Sequence, residues 1–271
     1  MPPRVLLLGG HGKVSLLMTP KLVSRSWNVT SVVRNPEHKR DILEAGKNGP
    51  GKVDVLVASL EEVKSDADAQ KILDQVKPDW VIWSAGAGGK GGSGRTYAID
   101  RDACIHFIRS SLATPSIRKF LLVSALLIRR GRPSWWDDES YASMQQINTE
   151  MMPHYYKAKL AADEALTVLG EERVKKEGKD KFSYIILRPG WLSDEKESGK
   201  IELGRTNARD KVSRGDVAEV AVKLLETEGA NGWFDLLNGN EPTDQAVTRV
   251  VKEGINSMDG EDINVMKANM A

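Results

Sequence analysis

A single cysteine, Cys104, stands in a chain of 271 residues. No intrachain disulfide is therefore expected, which fits a reducing compartment. Cys104 lies in an apolar-periodic stretch and reads as a small core residue rather than a nucleophile. Long hydrophobic runs are missing as well. The longest, Phe120 to Ile128, is interrupted by Ser124 and is about half the roughly 20 residues a membrane span needs. Near the N-terminus Val5-Leu6-Leu7-Leu8 runs straight into Gly9-Gly10, too short for a signal-peptide core. A soluble, cytoplasmic protein with no membrane partner is the expectation. Charge of one sign is also scarce: Lys+Arg 39 against Asp+Glu 38 leaves +1. Proteins that grip phosphate backbones carry a basic excess, so no nucleic-acid partner is expected. The basic clusters Arg129-Arg130-Gly131-Arg132 and Arg173 to Lys181 read as solvated surface. The four histidines, His11, His38, His106 and His154, lack metal-ligand spacing and no Cys cluster exists, so no metal site is expected.

With 40% hydrophobic and 28% charged residues, the chain has enough apolar material for a proper core. Short β-rich runs alternate with helical patterns. Strands are expected at Val5–Leu8, Val29–Val33, Val53–Val57, Trp80–Ser84, Phe120–Ser124 and Tyr184–Leu187. Helices are expected at Lys13–Arg25, Glu37–Ala45, Ser65–Val76, Tyr97–Leu112 and Tyr155–Leu169; the fourth places Ile99, Ala103, Phe107 and Ile108 on one face. This βαβα order implies an α/β, Rossmann-like doubly wound parallel sheet with helices on both sides. No repeat or linker divides the chain, so residues 1–271 read as one domain. After Arg188-Pro189-Gly190 the pattern loosens into polar sequence, Ser193 to Arg214. A helix at Asp216–Glu228, a strand at Trp233–Leu237 and a helix at Asp244–Gly254 complete it. This C-terminal third, from about residue 190, is too small for a domain of its own and is expected to shape a substrate pocket.

The strongest motif directly follows the first strand: Gly9-Gly10-His11-Gly12-Lys13-Val14-Ser15. Glycines at positions 9 and 12 permit a tight turn and let a pyrophosphate approach the backbone, while the helix N-terminus offers free N–H groups. Placed after a buried strand and opening a helix, the string points to dinucleotide binding, with Gly9, His11, Gly12, Lys13 and Val14 at the cofactor. At the end of the second strand, an acidic residue would bond the ribose 2′-OH of NAD. Here Val32-Val33-Arg34-Asn35-Pro36 presents Arg34, whose guanidinium fork fits a phosphate, with nothing acidic at that spot. NADP(H) is therefore the expected cofactor, and Lys13 could supply a second positive charge. Ser59-Leu60, past the third strand, sits where an adenine ring could be enclosed. Ser84-Ala85-Gly86-Ala87-Gly88-Gly89 follows the fourth strand, and its small residues at Ala85 and Gly86 leave room for a ligand crossing the sheet edge. From Gly88 onward the glycines, which continue to Gly94, read as a flexible loop.

Tyr155-Tyr156-Lys157-Ala158-Lys159 contains the chain's one Tyr-x-x-x-Lys. One helical turn apart, Tyr155 and Lys159 project from one face. A nearby ammonium stabilises tyrosinate and is expected to lower the phenol pKa, making Tyr155 a proton donor to a carbonyl oxygen receiving hydride. Ser124, ending the fifth strand, could hold the same oxygen. Trp135-Trp136 reads as either a lid over the pocket or buried support for a long loop.

Together these residues resemble the short-chain dehydrogenase/reductase superfamily, in its atypical, NmrA-like NAD(P)H-binding branch. The resemblance runs from Val5 to about Asn238. It rests on the glycine loop, Arg34-Asn35-Pro36, Ser84-Ala85-Gly86, Val123-Ser124, the Tyr155–Lys159 motif, Leu187-Arg188-Pro189-Gly190-Trp191 and Val212-Ser213-Arg214-Gly215-Asp216-Val217-Ala218. It implies that Tyr155 and Lys159 are a catalytic pair, with Lys159 also holding the nicotinamide ribose, and that Ser124 is the catalytic serine. Three positions depart from the pattern: Ser15 replaces the third glycine, Ser59 stands where many relatives carry Asp, and Pro20 falls inside the first helix. The branch also includes NADP-binding members that catalyse nothing and act as redox sensors. The expected function is thus an NADP(H)-dependent oxidoreductase on a small carbonyl or alcohol substrate. The alternatives are a non-enzymatic NADP(H) sensor and an epimerase or dehydratase-type enzyme on the same scaffold.

Overall fold

Four consecutive residues without solvent exposure, Val5 to Leu8, make β1 (Arg4–Leu8) a strand covered on both faces. A parallel sheet sandwiched between helices has no polar face, so its central strands are apolar throughout. The computed structural model describes residues 1–89 and 91–270; residue 90, in the Gly-rich stretch, lies outside the described residues. Strand and helix then alternate through α1 (Lys13–Ser24), β2 (Asn28–Val33), α2 (Lys39–Ala45), β3 (Val53–Val57), α3 (Asp66–Val76) and β4 (Trp80–Trp83). Next come α4 (Gly92–Thr96) and α5 (Cys104–Ala113), joined by a π-helical stretch, Tyr97–Ala103. After β5 (Lys119–Val123), α6 (Asp138–Gln146) and a second π-helical stretch, Ile147–Met151, lead into α7 (Pro153–Glu177). The remainder holds β6 (Ser183–Pro189), β7 (Trp191–Ser193), β8 (Lys200–Gly204), β9 (Lys211–Ser213) and α8 (Arg214–Glu226), then β10 (Gly232–Asn238), β11 (Glu241–Pro242), α9 (Thr243–Lys252) and α10 (Ile263–Met270).

The main sheet has the order β11-β8-β10-β6-β5-β4-β1-β2-β3. All pairs from β3 across to β10 are parallel, while β8 and β11 form an antiparallel margin. The expected Rossmann-like, doubly wound sheet is present. Chain progression reverses between β1 and β4, and ligands of such sheets sit at the carboxyl ends of the strands at that reversal. On one face pack Met18 and Leu22 of α1 with Val217, Val220 and Leu224 of α8. On the other pack Leu73 of α3, Phe107 and Ile108 of α5, and Leu166 of α7. Burying each such aliphatic side chain stabilises the fold by roughly 1.5–3 kcal/mol. Cys104 is buried among the second group. Among the described residues no helix is long and apolar enough to cross a membrane.

Local pattern failed in identifiable places. The polar stretch after Pro189 contains β8 and β9, whose buried Ile201, Leu203 and Val212 are too few to form a legible alternation. α6 is mainly polar and exposed, so it has no apolar stripe to announce it. The first helix continues through Pro20 to Ser24. The surface reading of Arg129 is corrected: it is 0% exposed. Its Nη2 donates to Asp235 Oδ2 at 3.0 Å, and its guanidinium lies 4.8 Å from the Trp136 ring centre.

Arg129 belongs to a buried chain of charges. Arg188 on β6 donates from Nε to Asp235 Oδ1 at 3.0 Å and from Nη1 to Asp163 Oδ2 at 2.8 Å. Its Nη2 donates to the carbonyls of Leu126 and Ile128, and its face covers Trp233 at 4.1 Å. Arg129, Asp163, Arg188 and Asp235 are all 0% exposed. Removing one partner of such a set leaves an uncompensated buried charge, which costs about 3–5 kcal/mol. Arg188→Leu is therefore expected to lower unfolding free energy by about that amount in urea titrations. A change below about 1 kcal/mol would mean that the carboxylates are solvated or protonated without cost.

Candidate active site

The β1–α1 turn is shaped by close backbone approach. Gly9 has a φ of +85°, and a Cβ there would lie 2.6 Å from the Ala85 Cα. The turn thus packs directly against the segment leaving β4. Gly12, the N-cap of α1, is extended and no side chain caps the helix. The first-turn N–H groups are left for an external acceptor, and a phosphate meets that need. These residues fit a dinucleotide.

A cleft of about 340 Å³ opens beside the turn, and Gly9, His11, Gly12, Arg34, Ser59, Leu60, Ala85 and Gly86 line it together. His11 stacks on His38 at 3.6 Å and meets Asp41 at 3.1 Å. Lys13 and Val14 are not in this lining. The Lys13 ammonium pairs with Asp194 at 2.6 Å, and Val14 faces the core. The cation accompanying Arg34 is instead Arg95 from α4. Glu61, also lining the cleft, bridges the two: its Oε1 contacts Arg34 Nη1 and accepts from Arg95 Nε at 2.9 Å. The expectation of nothing acidic beside Arg34 is corrected, because the carboxylate arrives from the loop after β3 rather than from β2 itself.

On α7, Tyr155, Lys159 and Asp163 recur every four residues and therefore share one face. Lys159 is buried, and its Nζ donates to the Val123 carbonyl at 3.0 Å. Ser124 is held at the end of β5 by its N–H to the Leu187 carbonyl, and its Oγ donates to Asp163 Oδ2 at 2.7 Å. Asp100, on the π-helical stretch, accepts from the Ala87 N–H at 2.9 Å. A Cβ on Gly86 would lie 2.8 Å from that carboxylate, so glycine is needed there.

Electrostatics correct one expectation. Burial drives the Tyr155 phenol pKa up, Asp100 and Asp163 add to the rise, and the Lys159 ammonium only partly opposes it. The net direction is upward, so the phenol keeps its proton at neutral pH. Burial also works against the Lys159 charge, yet Tyr155, Asp100 and neighbouring acids together hold its pKa above the usual lysine value. Asp163 is pushed up to about 6 by burial, which outweighs Arg188, Lys159 and the Ser124 hydrogen bond.

Ser124 and Tyr155 open onto a second cavity of about 320 Å³, within the size range of small-molecule sites. Its walls are largely apolar: Leu126, Leu127, Ile128, Met152, Pro189 and Leu192. Trp191, Leu192, Ala208, Asp210 and Arg214 come from the C-terminal third. A third hollow, bounded by Ala87, Asp100, Met152 and Tyr155, shares walls with both other cavities. The three hollows therefore adjoin one another, from Arg34 past Tyr155 to the apolar end. Trp135 and Trp136 do not line these cavities; both indoles donate to the Thr206 carbonyl, at 2.9 and 2.8 Å, bracing the loop before α6.

Residues 9–228 match the sequence model described as NAD(P)H-binding. The chain belongs to the NAD(P)H-binding family. A UPF0659 protein of Schizosaccharomyces pombe is 31% identical, with 93% of this chain and 96% of that protein aligned. YhfK of Bacillus subtilis, named an uncharacterized sugar epimerase, is 26% identical over 91% of this chain and all of the relative. A structure from Bacillus halodurans, named as a candidate NAD-dependent epimerase/dehydratase, is 27% identical with a TM-score of 0.69, covering 91% of this chain and 99% of that one. Membership and neighbours agree with the atypical, NmrA-like branch of the short-chain dehydrogenase/reductases.

Asp100, Asp163, Glu61 and Arg95 were not singled out by sequence. Asp163 alone carried a readable signal, since it continues the four-residue spacing of Tyr155 and Lys159. Its titration has a measurable sign. The folded chain keeps a proton on Asp163 up to about pH 6, whereas the ordinary aspartate value is 3.8. On this group's account stability is fully present below the lower value and is lost as pH rises through the upper one. Between about pH 4 and pH 7 the loss is roughly 2–3 kcal/mol. Urea unfolding across that range should show this slope for the native chain and its absence in Asp163→Asn; identical slopes would contradict the assignment.

Proposed function

We propose that this family member is an NADP(H)-dependent oxidoreductase that reduces a small carbonyl compound or oxidises the corresponding alcohol. The observation that carries the reading is the placement of Tyr155 and Ser124 on the wall of one apolar cavity. Lys159 lies in the turn beneath, and the groove leads on to the glycine-loop cleft. Gly9, Gly12 and the first turn of α1 would seat the pyrophosphate, Ser59 and Leu60 would flank the adenine, and Arg34 would face the ribose 2′-phosphate. Ala85 and Gly86 leave space at the sheet edge, and Lys159 would hold the nicotinamide ribose. When bound, NADP(H) supplies or takes up the hydride.

The chain's own groups handle the proton. Tyr155 carries one at neutral pH, as an ordinary tyrosine does, and its raised pKa holds it more firmly; in the reducing direction it gives that proton to the substrate oxygen. Lys159, cationic and fixed to the Val123 carbonyl, stabilises the phenolate left behind. Ser124 aims its own hydrogen at Asp163, so its oxygen offers a lone pair that aligns the phenol or the alcohol O–H. The apolar walls suit a substrate with a small hydrocarbon body. Beyond Asn148, Asp210 and Arg214 the walls offer a sugar's many hydroxyl groups few side-chain partners, and desolvating the rest is unfavourable. The names of two relatives favour an epimerase as the second reading, in which hydride returns to the substrate and no cofactor is consumed. A cytoplasmic location suits a chain whose one cysteine is buried.

Two experiments test this reading. NADPH oxidation with a panel of small aldehydes and ketones should show turnover, and Tyr155→Phe should reduce it by roughly 10²–10⁴ while NADPH affinity stays within a few-fold. Lys159→Met should weaken both. A native protein that binds NADPH yet consumes none with any carbonyl is a sensor or an epimerase instead, and turnover unaffected by Tyr155→Phe excludes it as the donor. For the cofactor, one charge-assisted hydrogen bond from Arg34 corresponds to a preference for NADPH over NADH of roughly 10–150-fold. Calorimetry should find most of that gap erased in Arg34→Ala with NADH affinity nearly unchanged; equal native affinities overturn the NADP(H) assignment.

A further inference from the structure

Resting on that cofactor reading, we infer that Glu61 is the selectivity switch of the groove: its carboxylate covers the two arginines a ribose 2′-phosphate would use. Arg34, Glu61 and Arg95 all line the glycine-loop cleft, beside Ser59 and Leu60. A single oxygen, Glu61 Oε1, receives Arg34 Nη1 and Arg95 Nε. Both guanidinium groups are thereby gathered around one anionic oxygen at the end of β2, from segments otherwise far apart in the chain. Arginine forks pair with phosphate oxygens as they pair with carboxylates, and two forks match the three free oxygens of a phosphate monoester.

Exchange is favoured by charge and by mobility. The trio carries one net positive charge, and a phosphate monoester brings about −1.5 to −2 where the carboxylate brings −1. Glu61 sits in a short 3-10 turn, Leu60–Glu62, and is about one-third exposed. Its side chain can rotate outward without disturbing the core. Arg95 is better anchored: it is 21% exposed and also reaches the Ala87 carbonyl at 3.4 Å. Arg34 is the more exposed partner, at 59%. NADP(H) must therefore displace Glu61, whereas NAD(H) leaves it in place, where a carboxylate accepts a ribose 2′-OH. One chain thus holds both the cationic and the acidic solution to cofactor choice. Glu61 pulls native selectivity toward the lower end of the range that Arg34 permits.

The probes are 2′,5′-ADP and 5′-AMP, which differ in the 2′-phosphate and report on this subsite without catalysis. The native chain should prefer 2′,5′-ADP by about 10-fold, one charge-assisted hydrogen bond. Glu61→Gln should widen that ratio by about a further 10-fold, with 5′-AMP unchanged or weaker. Glu61→Ala serves as the second variant, and unchanged thermal midpoints establish that both are folded. Arg95→Gln should narrow the ratio as Arg34→Ala does. If Arg34→Ala narrows it while both Glu61 variants leave it unmoved, the switch falls and the NADP(H) reading stands. If native protein binds neither probe, the cleft assignment falls and takes the switch with it.

Discussion

Arg188 is excluded from water and has to be, because it lies in the middle of a parallel sheet with helices on both sides. A guanidinium in that position is tolerable only when its charge is met and its donors are used. Asp163 from α7 and Asp235 from β10 meet the charge, and carbonyls after β5 take its remaining donors. Arg129 balances the second carboxylate. Two cations and two anions thus close a neutral chain that ties together β6, β10, α7 and the segment after β5. Replacing such a set by hydrocarbons can be neutral for stability, so its worth lies in geometry as much as in energy. It fixes Asp163, and through Asp163 the direction of the Ser124 hydroxyl.

The cavity wall bearing Ser124 and Tyr155 inherits its electrostatics from this arrangement. Tyr155 sits in an environment where burial and two carboxylates favour the protonated phenol, and a single ammonium works the other way. Lysine adjacency by itself suggests an acidified tyrosine, but the surroundings reverse the sign. The same carboxylates that raise the phenol pKa also keep Lys159 cationic despite its burial. The phenol is therefore protonated and the ammonium charged, as the roles proposed for them require, and neither state follows from the Tyr-x-x-x-Lys spacing alone. At the other end of the groove the logic is different, since Arg34 and Glu61 are reachable from solvent and can rearrange. The deep end is rigid because charge there cannot be resolvated. The Arg34 end is adjustable because it can.

Most of the fold was legible in order and type. Val5–Leu8, Val29–Val33 and Val53–Val57 are short runs rich in valine and leucine, and each became a parallel strand. The glycine loop was legible for a local reason: Gly9 adopts a positive φ and lies against Ala85, a conformation and a spacing that admit no side chain. Tyr155 and Lys159 were legible because a helix brings residues four apart onto one face. By contrast, β8 and β9 carry too few apolar residues to show a period, and α6 lacks a buried stripe.

What the sequence determined by itself was therefore whatever depends on neighbours along the chain: the alternation of strand and helix, the glycine turn between β1 and α1, and the helical face bearing Tyr155 and Lys159. Tertiary structure decided what depends on neighbours in space. Arg129 resembled surface charge beside Arg130 and Arg132, yet folding carries it into the core opposite Asp235, 106 positions away. Arg34 met Glu61 and Arg95 because β2 and β3 pair side by side and α4 closes over the end of the sheet. The strand-end pattern could not contain a carboxylate 27 residues further on. Charge interactions depend on distance through space and on the exclusion of water, and both are set when the sheet closes between its helices.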